Sequence, residues 1–345
     1  MRSKLLFLFP DRAQSRLIKV NKAFMPSERL YGLVELRQRG WNAKISDSRW
    51  EGAPGLLRRR FRRFFELPCP TVLREMRRSD VIVVKDDFST TLLTEASLMG
   101  KPLVYLDAMF EIPKAWHERQ ALAYNLKHAS AVCCYSQRQA IQWAETFKLP
   151  ASRFEIMPYC IDADFYPELI WKRQKRGYIF AVGRDLGRDY DTLLSACEKI
   201  GLRLKLVTLS YLIPERAMAS PLVEVFQNLS YSQLFDLYAG SAMAAIPLKK
   251  NISYPSGIRA LLESTALGVP TVVTETKVLP EYLKNKVHVR YMAPESVEAM
   301  ADTMQAVLDD PMEAEAMALR ASIEVRSRFT MQHFADAFEQ VIARI

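Results

Sequence analysis

Short apolar runs alternate with segments of helical periodicity along the chain. In the first half the apolar runs are LLFLF (5–9), VIVV (81–84) and PLVYL (102–106), and each precedes a helical pattern. This alternation is typical of βαβ units, in which helices connect the parallel strands of one sheet. The pattern predicts a parallel α/β sheet in the first half.

The same pattern restarts after residue 170. Its apolar runs are YIFAVG (178–183), LRLKLVTL (202–209), AMAAIPL (242–248) and PTVVT (270–274). A chain of 345 residues also exceeds what one hydrophobic core usually organises. We therefore expect two doubly wound α/β domains.

The segment EIMPYCIDADFYPE (155–168) separates the two series. Its prolines, Pro158 and Pro167, disfavour a continuous helix and mark a connector. The expected domains are residues 1–166 and 167–327. Residues 328–345 end in MQHFADAFEQVIARI, which places Phe334, Phe338 and Ile342 on one helical face that must pack on something.

Composition indicates an ordinary globular protein, with 49% hydrophobic and 25% charged residues. No apolar run approaches the roughly 18 residues of a membrane span, and the opening MRSKLLFLFP is too short in apolar residues for a signal peptide. A cytoplasmic location is expected. The five cysteines show no C-x-x-C spacing and are interpreted as reduced core thiols.

The positive charge is confined to one half. Residues 1–165 contain 27 Lys and Arg against 18 Asp and Glu, whereas the remainder contains 21 of each. The net charge of +9 therefore belongs to the first domain. This asymmetry suggests that the first domain meets an anionic membrane surface, a phosphorylated acceptor or nucleic acid.

The segment YIFAVGRDLGRDYDTLL (178–194) is a predicted strand, glycine turn and helix. Gly183 and Gly187 allow a ligand to approach the backbone, and the guanidinium groups of Arg184 and Arg188 match diphosphate oxygens. The alternative is an ordinary Rossmann turn with solvated arginines, and this segment alone does not decide between them.

A second segment, YPSGIRALLESTALGVPTVVT (254–274), places Ser256 and Gly257 before a helix. The unpaired N–H groups at such a helix start attract anions. Glu263 lies two turns further along and has the carboxylate needed to accept hydrogen bonds from a ribose diol. A solvated helix glutamate is the alternative for Glu263.

Together these segments resemble the retaining GT-B glycosyltransferases of family 4. The resemblance covers residues 80–345 well and the first 80 weakly. It rests on five segments in the family's order: ASAVCCYSQ (129–137), the last strand of the first domain; EIMPYCIDADFYP (155–167), the interdomain signature; AVGRDLGRDYDTLLSA (181–196), the diphosphate turn; SYSQLFDLYAGSAMAAIPL (230–248); and SGIRALLESTALGVPTVV (256–273), the nucleotide-binding helix and strand.

The resemblance implies a GT-B fold, two Rossmann-like doubly wound domains facing a cleft. The first domain would receive the acceptor, the second would bind the nucleotide sugar, and the C-terminal helix would pack back on the first domain. It also implies functional residues. Arg184 and Arg188 would contact the diphosphate, with Arg188 in place of the usual lysine; Glu263 would hold the ribose; and Gly183, Ser256, Gly257 and Ile258 would bind the donor nucleotide.

The chain departs from the family pattern at three places. Pro255 stands where the first of two paired glutamates is usual. Asp107, included among the catalytic candidates, stands where a histidine is frequent. The glycine-rich first loop is replaced by PDRAQSR (10–16).

The predicted residues suit the loss of a diphosphate leaving group, whose growing charge fixed arginines and helix N–H groups stabilise. For such retaining enzymes the resemblance implies attack on the face that the diphosphate leaves. We expect no metal and no cofactor. The D-x-D string Asp162 to Asp164 is interpreted as part of the interdomain signature.

The segment GLLRRRFRRFFEL (55–67) interleaves five arginines with leucines and phenylalanines. Its apolar residues share one helical face, as in a helix lying on an anionic membrane. A basic segment packed on its own domain is the equal alternative.

These observations favour an active glycosyltransferase that moves a sugar from a UDP- or GDP-linked donor to a glycan or lipid-linked acceptor, peripherally at the membrane if 55–67 binds lipid. The second hypothesis is an inactive GT-B subunit that binds nucleotide or a partner, which Pro255 and Asp107 favour. A nucleic-acid partner is not expected, because the sequence contains no binding-module signature.

Overall fold

The computed structural model describes residues 3–48, 69–85, 89–106, 112–169, 177–252 and 254–345. The chain forms two compact units. Unit 1 comprises Met1–Pro158 with Met331–Ile345, and unit 2 comprises Tyr159–Thr330. The first limit lies eight residues before the expected 166/167, and the return to unit 1 begins three residues after the expected 328.

Unit 1 is built on a six-stranded parallel sheet with the order β2-β1-β3-β4-β5-β6. Its strands are β1 (Lys4–Phe9), β2 (Asn42–Asp47), β3 (Val81–Lys85), β4 (Leu103–Leu106), β5 (Ala131–Cys134) and β6 (Phe154–Ile156). The three predicted apolar runs are confirmed as β1, β3 and β4. The segment 129–137 contains β5, but β6 pairs beyond it, so β5 is not the last strand of the unit.

Helices lie between these strands in sequence. They are α1 (Ala13–Asn21), α2 (Leu33–Gln38), α3 (Pro70–Arg78), α4 (Thr90–Leu98), α5 (Trp116–His128) and α6 (Gln137–Phe147). Ser89 and Ser136 cap α4 and α6 by accepting hydrogen bonds from the backbone N–H groups of Leu92 and Gln139. The helices cover strands that are buried along their whole length, as β4 and β5 are.

Unit 2 contains a second six-stranded parallel sheet, with the order β12-β11-β10-β7-β8-β9. Its strands are β7 (Tyr178–Val182), β8 (Arg203–Val207), β9 (Val223–Phe226), β10 (Met243–Ile246), β11 (Thr271–Thr274) and β12 (Arg290–Met292). The chain order reverses between β7 and β10. Ligands of open α/β sheets bind outside the carboxyl ends of the strands at such a reversal.

The helices of unit 2 begin with α7, which follows β7. They are α7 (Tyr190–Ile200), α8 (Glu215–Ala219), α9 (Tyr231–Ala239), α10 (Ile258–Ala266), α11 (Val297–Asp309) and α12 (Pro311–Arg328). Asp189 caps α7, and Ser230 with Gln233 forms a capping box at the start of α9. The core of this unit joins the apolar side chains of β7, β8 and β10 to those of α7 and α11.

The last helix, α13 (Met331–Ala343), belongs to unit 1. The ring of Phe338 lies 5.8 Å from that of Phe7 on β1. Arg39 donates hydrogen bonds to Asp336 at 2.6 Å and to Glu339 at 3.0 Å. Apolar contacts and these charged pairs thus hold the helix against β1 and the residues after α2.

Candidate functional site

The turn after β7 is tied to two neighbouring elements through one carbonyl. The Gly183 oxygen accepts hydrogen bonds from Thr208 Oγ1 at 2.7 Å and from Tyr190 Oη at 3.0 Å. Thr208 follows β8, and Tyr190 begins α7. The turn is therefore fixed where the carboxyl ends of β7 and β8 meet.

Asp185 is the centre of the turn's side-chain hydrogen bonds. Its Oδ1 accepts from Ser256 Oγ at 2.6 Å, from Tyr254 Oη at 3.2 Å and from the Gly187 backbone N–H at 3.1 Å. Its Oδ2 accepts from Arg188 Nε at 2.8 Å. We call these five residues, Asp185, Gly187, Arg188, Tyr254 and Ser256, the Asp185 network.

Burial and the mutual attraction of their charges act in opposite directions on the pKa values of Asp185 and Arg188. Burial alone would raise the pKa of Asp185, but the Arg188 charge and the hydrogen bonds from Ser256 and Tyr254 lower it below its usual value. Burial alone would lower the pKa of Arg188, and the Asp185 charge raises it instead. Both groups are therefore ionised at neutral pH.

Arg188 lies beneath the turn. Its side chain is only 5% exposed, and its buried Nη1 has no hydrogen-bond partner among the described residues. A Cβ added to Gly183 would come within 2.2 Å of Arg188 Nε. Glycine is required at 183 because the arginine side chain occupies the space that any larger residue would need.

Backbone contacts join the same turn to the chain after β10. Asp189 N–H donates to the Pro247 carbonyl at 3.2 Å, and Lys249 N–H donates to the Gly187 carbonyl at 2.9 Å. The Gly187 N–H also donates to Tyr254 Oη at 2.9 Å. These bonds and the Asp185 network connect the two loops at the reversal of strand order.

The second loop leads directly into α10. Gly257 precedes the helix with φ of +87°, a left-handed conformation that favours glycine. No side chain caps α10, and Ile258 at its start is fully buried. The first N–H groups of α10 are therefore not capped by a side chain, although Asp185 lies close by through its bond with Ser256.

Glu263 is held in place on α10. Its Oε1 accepts from Arg259 Nε at 2.8 Å and from Tyr166 Oη at 3.1 Å, and its side chain is 5% exposed. Tyr166 belongs to a cluster of half-buried and buried rings with Phe165, Tyr231 and Phe235. The carboxylate is thus oriented by Tyr166 of the interdomain signature and by Arg259 of its own helix.

The predicted site residues fall into three groups. Gly183, Arg188, Ser256 and Gly257 lie in or beside the Asp185 network, and Ile258 and Glu263 follow on α10. Arg184 is on the same turn, but it is exposed, and its guanidinium makes no hydrogen bond or ion pair with the described residues. Asp107 and the segment 55–67 lie outside the described residues.

Four residues of this site were not predicted from the sequence: Asp185, Tyr254, Tyr190 and Thr208. A signal for Asp185 was present, because its spacing of three residues from Arg188 in a tight turn is compatible with an ion pair. Tyr254 gave no comparable signal, since it lies 69 residues away and meets Asp185 only through the sheet.

Neither a metal cluster nor a membrane helix is seen in the parts of the chain that the structure describes. No three His, Cys, Asp or Glu side chains there are grouped as metal ligands. None of the helices described is both long enough and apolar enough to cross a membrane.

Comparison with known proteins gives a family-model match over part of the chain and a fold over the whole of it. The family model described as glycosyl transferase-like matches residues 193–340, which lie mainly in unit 2. A comparison with curated proteins gives no match.

Solved structures match over the whole chain. A glycosyltransferase from Rickettsia africae ESF-5 is 12% identical with a TM-score of 0.72, covering 100% of this chain and 99% of that one. HepE from Anabaena, solved with UDP and glucose, is 16% identical with a TM-score of 0.69 and 100% coverage of both chains. Sucrose-phosphate synthase from Thermosynechococcus elongatus is 14% identical with a TM-score of 0.70, covering 99% of this chain and 98% of that one. The chain has the GT-B fold of these proteins, with two Rossmann-like units.

Proposed function

We propose that the chain is a glycosyltransferase of the retaining, family 4 type. It transfers a hexose from a UDP- or GDP-linked donor to a glycan or lipid-linked acceptor, and unit 2 binds the donor. The observation that carries this proposal is the Asp185 network, which joins a basic turn to an uncapped helix start at the reversal of strand order. The family model over residues 193–340 and the UDP and glucose bound to the similarly folded HepE support the choice of donor.

Arg184 and the start of α10 are the proposed ligands of the donor diphosphate. Arg184 is exposed on the turn, so a phosphate oxygen can meet its guanidinium without displacing a protein partner. The α10 N–H groups after Gly257 offer further donors and a positive dipole end. Arg188, on the same turn, supports the site through its ion pair with Asp185, and Gly183, Ser256 and Ile258 shape it.

Glu263 is the proposed ribose ligand. The bonds from Arg259 and Tyr166 to Oε1 orient the group, and a carboxylate can accept about four hydrogen bonds in all. A ribose hydroxyl would donate to the same carboxylate. The aromatic cluster around Tyr166 would keep that contact in a fixed place.

The proposed reaction breaks the bond between the anomeric carbon and the β-phosphate oxygen, whose electron pair remains on the diphosphate. The acceptor oxygen bonds to the anomeric carbon on the same face, and its proton passes to a phosphate oxygen. Arg184 and the α10 N–H groups stabilise the charge as it develops, without a metal. Asp107, which lies outside the described residues, is proposed as a catalytic residue only on the position it takes in the family pattern.

Donor binding and turnover test the proposal together. Calorimetry with UDP and GDP identifies the nucleotide, and release of nucleotide from UDP-glucose or GDP-mannose is then followed with candidate acceptors. Equal rates with and without EDTA would support metal independence, and the anomeric NMR coupling of the product reports retention. Failure to bind either nucleotide would contradict the proposal.

An inactive GT-B subunit is the second candidate. The observation that favours it is Pro255, which occupies the place of the family's first glutamate and cannot act as a carboxylate. This candidate predicts tight binding of UDP or GDP with no sugar release for any acceptor. Turnover of any donor excludes it.

A lipid-linked acceptor would explain the charge of the first half of the chain. Five arginines in 55–67 near an anionic surface would contribute about 1 kcal/mol each, enough for reversible peripheral attachment. We expect sedimentation with anionic but not neutral vesicles, weakened by salt. Replacing Arg58, Arg59, Arg60, Arg62 and Arg63 with Gln should abolish it and leave UDP binding intact. Wild-type protein that ignores anionic vesicles at low salt would remove the membrane from the proposal.

A further inference from the structure

We infer that Asp185 is a positioning residue of the donor site and that Arg188 acts through it rather than on the diphosphate. This inference rests on the proposed function and deepens it. Asp185 is outside the set of residues that the family resemblance assigns to the donor. Its role follows from the bonds that converge on its carboxylate.

The carboxylate connects both loops that would hold the diphosphate. From the turn after β7 it accepts the Gly187 N–H and Arg188 Nε, and from the loop before α10 it accepts the hydroxyls of Tyr254 and Ser256. Two of its three side-chain donors lie about 70 positions away in the sequence. Asp185 therefore sets the position of Arg184 relative to the start of α10.

Arg188 is placed to serve this carboxylate. Its side chain is 5% exposed and is packed against the backbone at Gly183, so its guanidinium lies under the turn instead of facing solvent. Arg184 on the same turn is exposed. The two arginines thus have different surroundings, and only Arg184 can meet a ligand without rearrangement.

The positive charge of Arg188 offsets the negative charge of Asp185 in this position. An ionised Asp185 next to a bound diphosphate would repel it, because both are anions. Arg188 at 2.8 Å neutralises Asp185 and removes this repulsion. Loss of Arg188 should therefore weaken nucleotide binding only while Asp185 remains charged.

A double-mutant cycle on UDP binding tests this dependence. We expect Arg188→Gln to raise the Kd for UDP about tenfold in the wild type but less than about twofold in Asp185→Asn protein. Arg184→Ala should raise the Kd by the same factor in both backgrounds, as expected of a direct ligand. The assay uses the full chain below its unfolding temperature, which is measured for every variant.

Conservative replacement distinguishes positioning from general stability. The amide oxygen of Asn can still accept from Ser256, Tyr254 and Gly187, so Asp185→Asn should bind UDP more tightly than Asp185→Ala by about tenfold. Asp191→Asn is the matched control, since Asp191 lies in the first turn of α7 and pairs with exposed Arg216. The control should leave the Kd unchanged.

The possible results distinguish a failure of the Asp185 inference from a failure of the proposed function. If Arg188→Gln raises the Kd for UDP by the same factor in wild-type and Asp185→Asn protein, Arg188 contacts the nucleotide directly. The inference is then wrong, while the proposed function stands. It is equally wrong if Asp185→Ala binds UDP like the wild type. If wild-type protein binds neither UDP nor GDP, the proposed function is wrong and the inference falls with it.

Discussion

The two units share a six-stranded parallel sheet, but a carboxylate caps the start of α1 in unit 1 and no side chain caps the start of α10 in unit 2. In unit 1, Asp47 at the end of β2 accepts a hydrogen bond from the Ala13 N–H at 2.7 Å, so the start of α1 already has an anion from its own chain. In unit 2, Asp189 caps α7, while α10 begins at Gly257 without a side-chain cap. The same sheet architecture therefore includes an uncapped helix start at α10 in unit 2 and a carboxylate-capped one at α1 in unit 1.

In unit 1, the loop PDRAQSR (10–16) leads into α1, whose first N–H group is already bonded to Asp47. A glycine-rich loop would let a ligand approach the start of α1, whereas here Arg12 adopts a φ of 56° and Asp47 fills the position. Arg16 pairs with Asp11 in the same loop. This difference agrees with the proposal that the anionic donor binds at unit 2, and the following changes test it.

The largest effect is expected from removing the exposed cation of unit 2. Arg184→Ala should lower turnover by two to three orders of magnitude, since one charge-assisted contact to a developing oxyanion is worth roughly 2 to 4 kcal/mol. Steady-state rates with saturating donor measure it. Arg203→Ala, an exposed arginine at the opposite end of the sheet, should have no effect. Wild-type turnover in folded Arg184→Ala protein would remove Arg184 from the site.

Gly183→Ala should destabilise unit 2 by about 1 to 3 kcal/mol, as overpacking of a filled site does. The new Cβ would lie 2.2 Å from Arg188 Nε and would force the guanidinium off Asp185. Urea unfolding gives the free energy. The loss should shrink in an Arg188→Ala background, and equal losses in the two backgrounds would show that the clash is with something else.

Asp47→Ala should lower the free energy of unfolding of unit 1 by about 1 kcal/mol through loss of a helix cap. Nucleotide affinity should not change, because unit 1 is not the proposed donor-binding unit. Asp11→Ala in the same loop is the control, as Asp11 is more than half exposed and its pair with Arg16 contributes little. A higher Kd for UDP in Asp47→Ala protein would contradict the assignment of nucleotide binding to unit 2 alone.

The smallest expected effect is a loss of stability at acidic pH. Burial lowers the pKa of His288 in unit 2, with Lys284, Arg320 and Arg328 acting in the same direction and Glu324 opposing them. Because the folded pKa lies below the unfolded value of about 6.5, stability should fall as pH drops below that value. Thermal unfolding at pH 7.5 and 5.5 measures the difference. His288→Gln should reduce it and His117→Gln, in unit 1, should not; the same pH dependence in His288→Gln protein would contradict the assignment.

Mainly apolar strands were predictable, and the edge strands β2 and β12 were not. The predicted runs in unit 2 are confirmed as β7, β8, β10 and β11. Strands buried on both faces, such as β10 and β11, are rich in apolar residues and are therefore visible in the sequence. β2, with the sequence NAKISD, alternates polar and apolar residues, and β12 has only three residues. Neither gives an apolar run, and each is defined only by its neighbour in the sheet.

The site was predictable as a set of loops but not as a set of contacts. Glycines and arginines mark the turn at 183–188, and the sequence order of loop, helix and strand marks α10. The burial of Arg188 and the convergence of Tyr254 and Ser256 on Asp185 depend on the pairing of β7 with β10, which a linear sequence does not display. The roles of the site residues remain predictions.

The assignment of α13 to unit 1 has a consequence for synthesis. Residues 1–158 leave the ribosome first, yet the helix that covers Phe7 is made more than 170 residues later. Unit 2 is one continuous segment and can fold as soon as it emerges, as domains generally do. Unit 1 leaves apolar surface exposed until α13 is synthesised. A chain stalled before residue 331 would therefore contain a complete unit 2 and an incomplete, aggregation-prone unit 1.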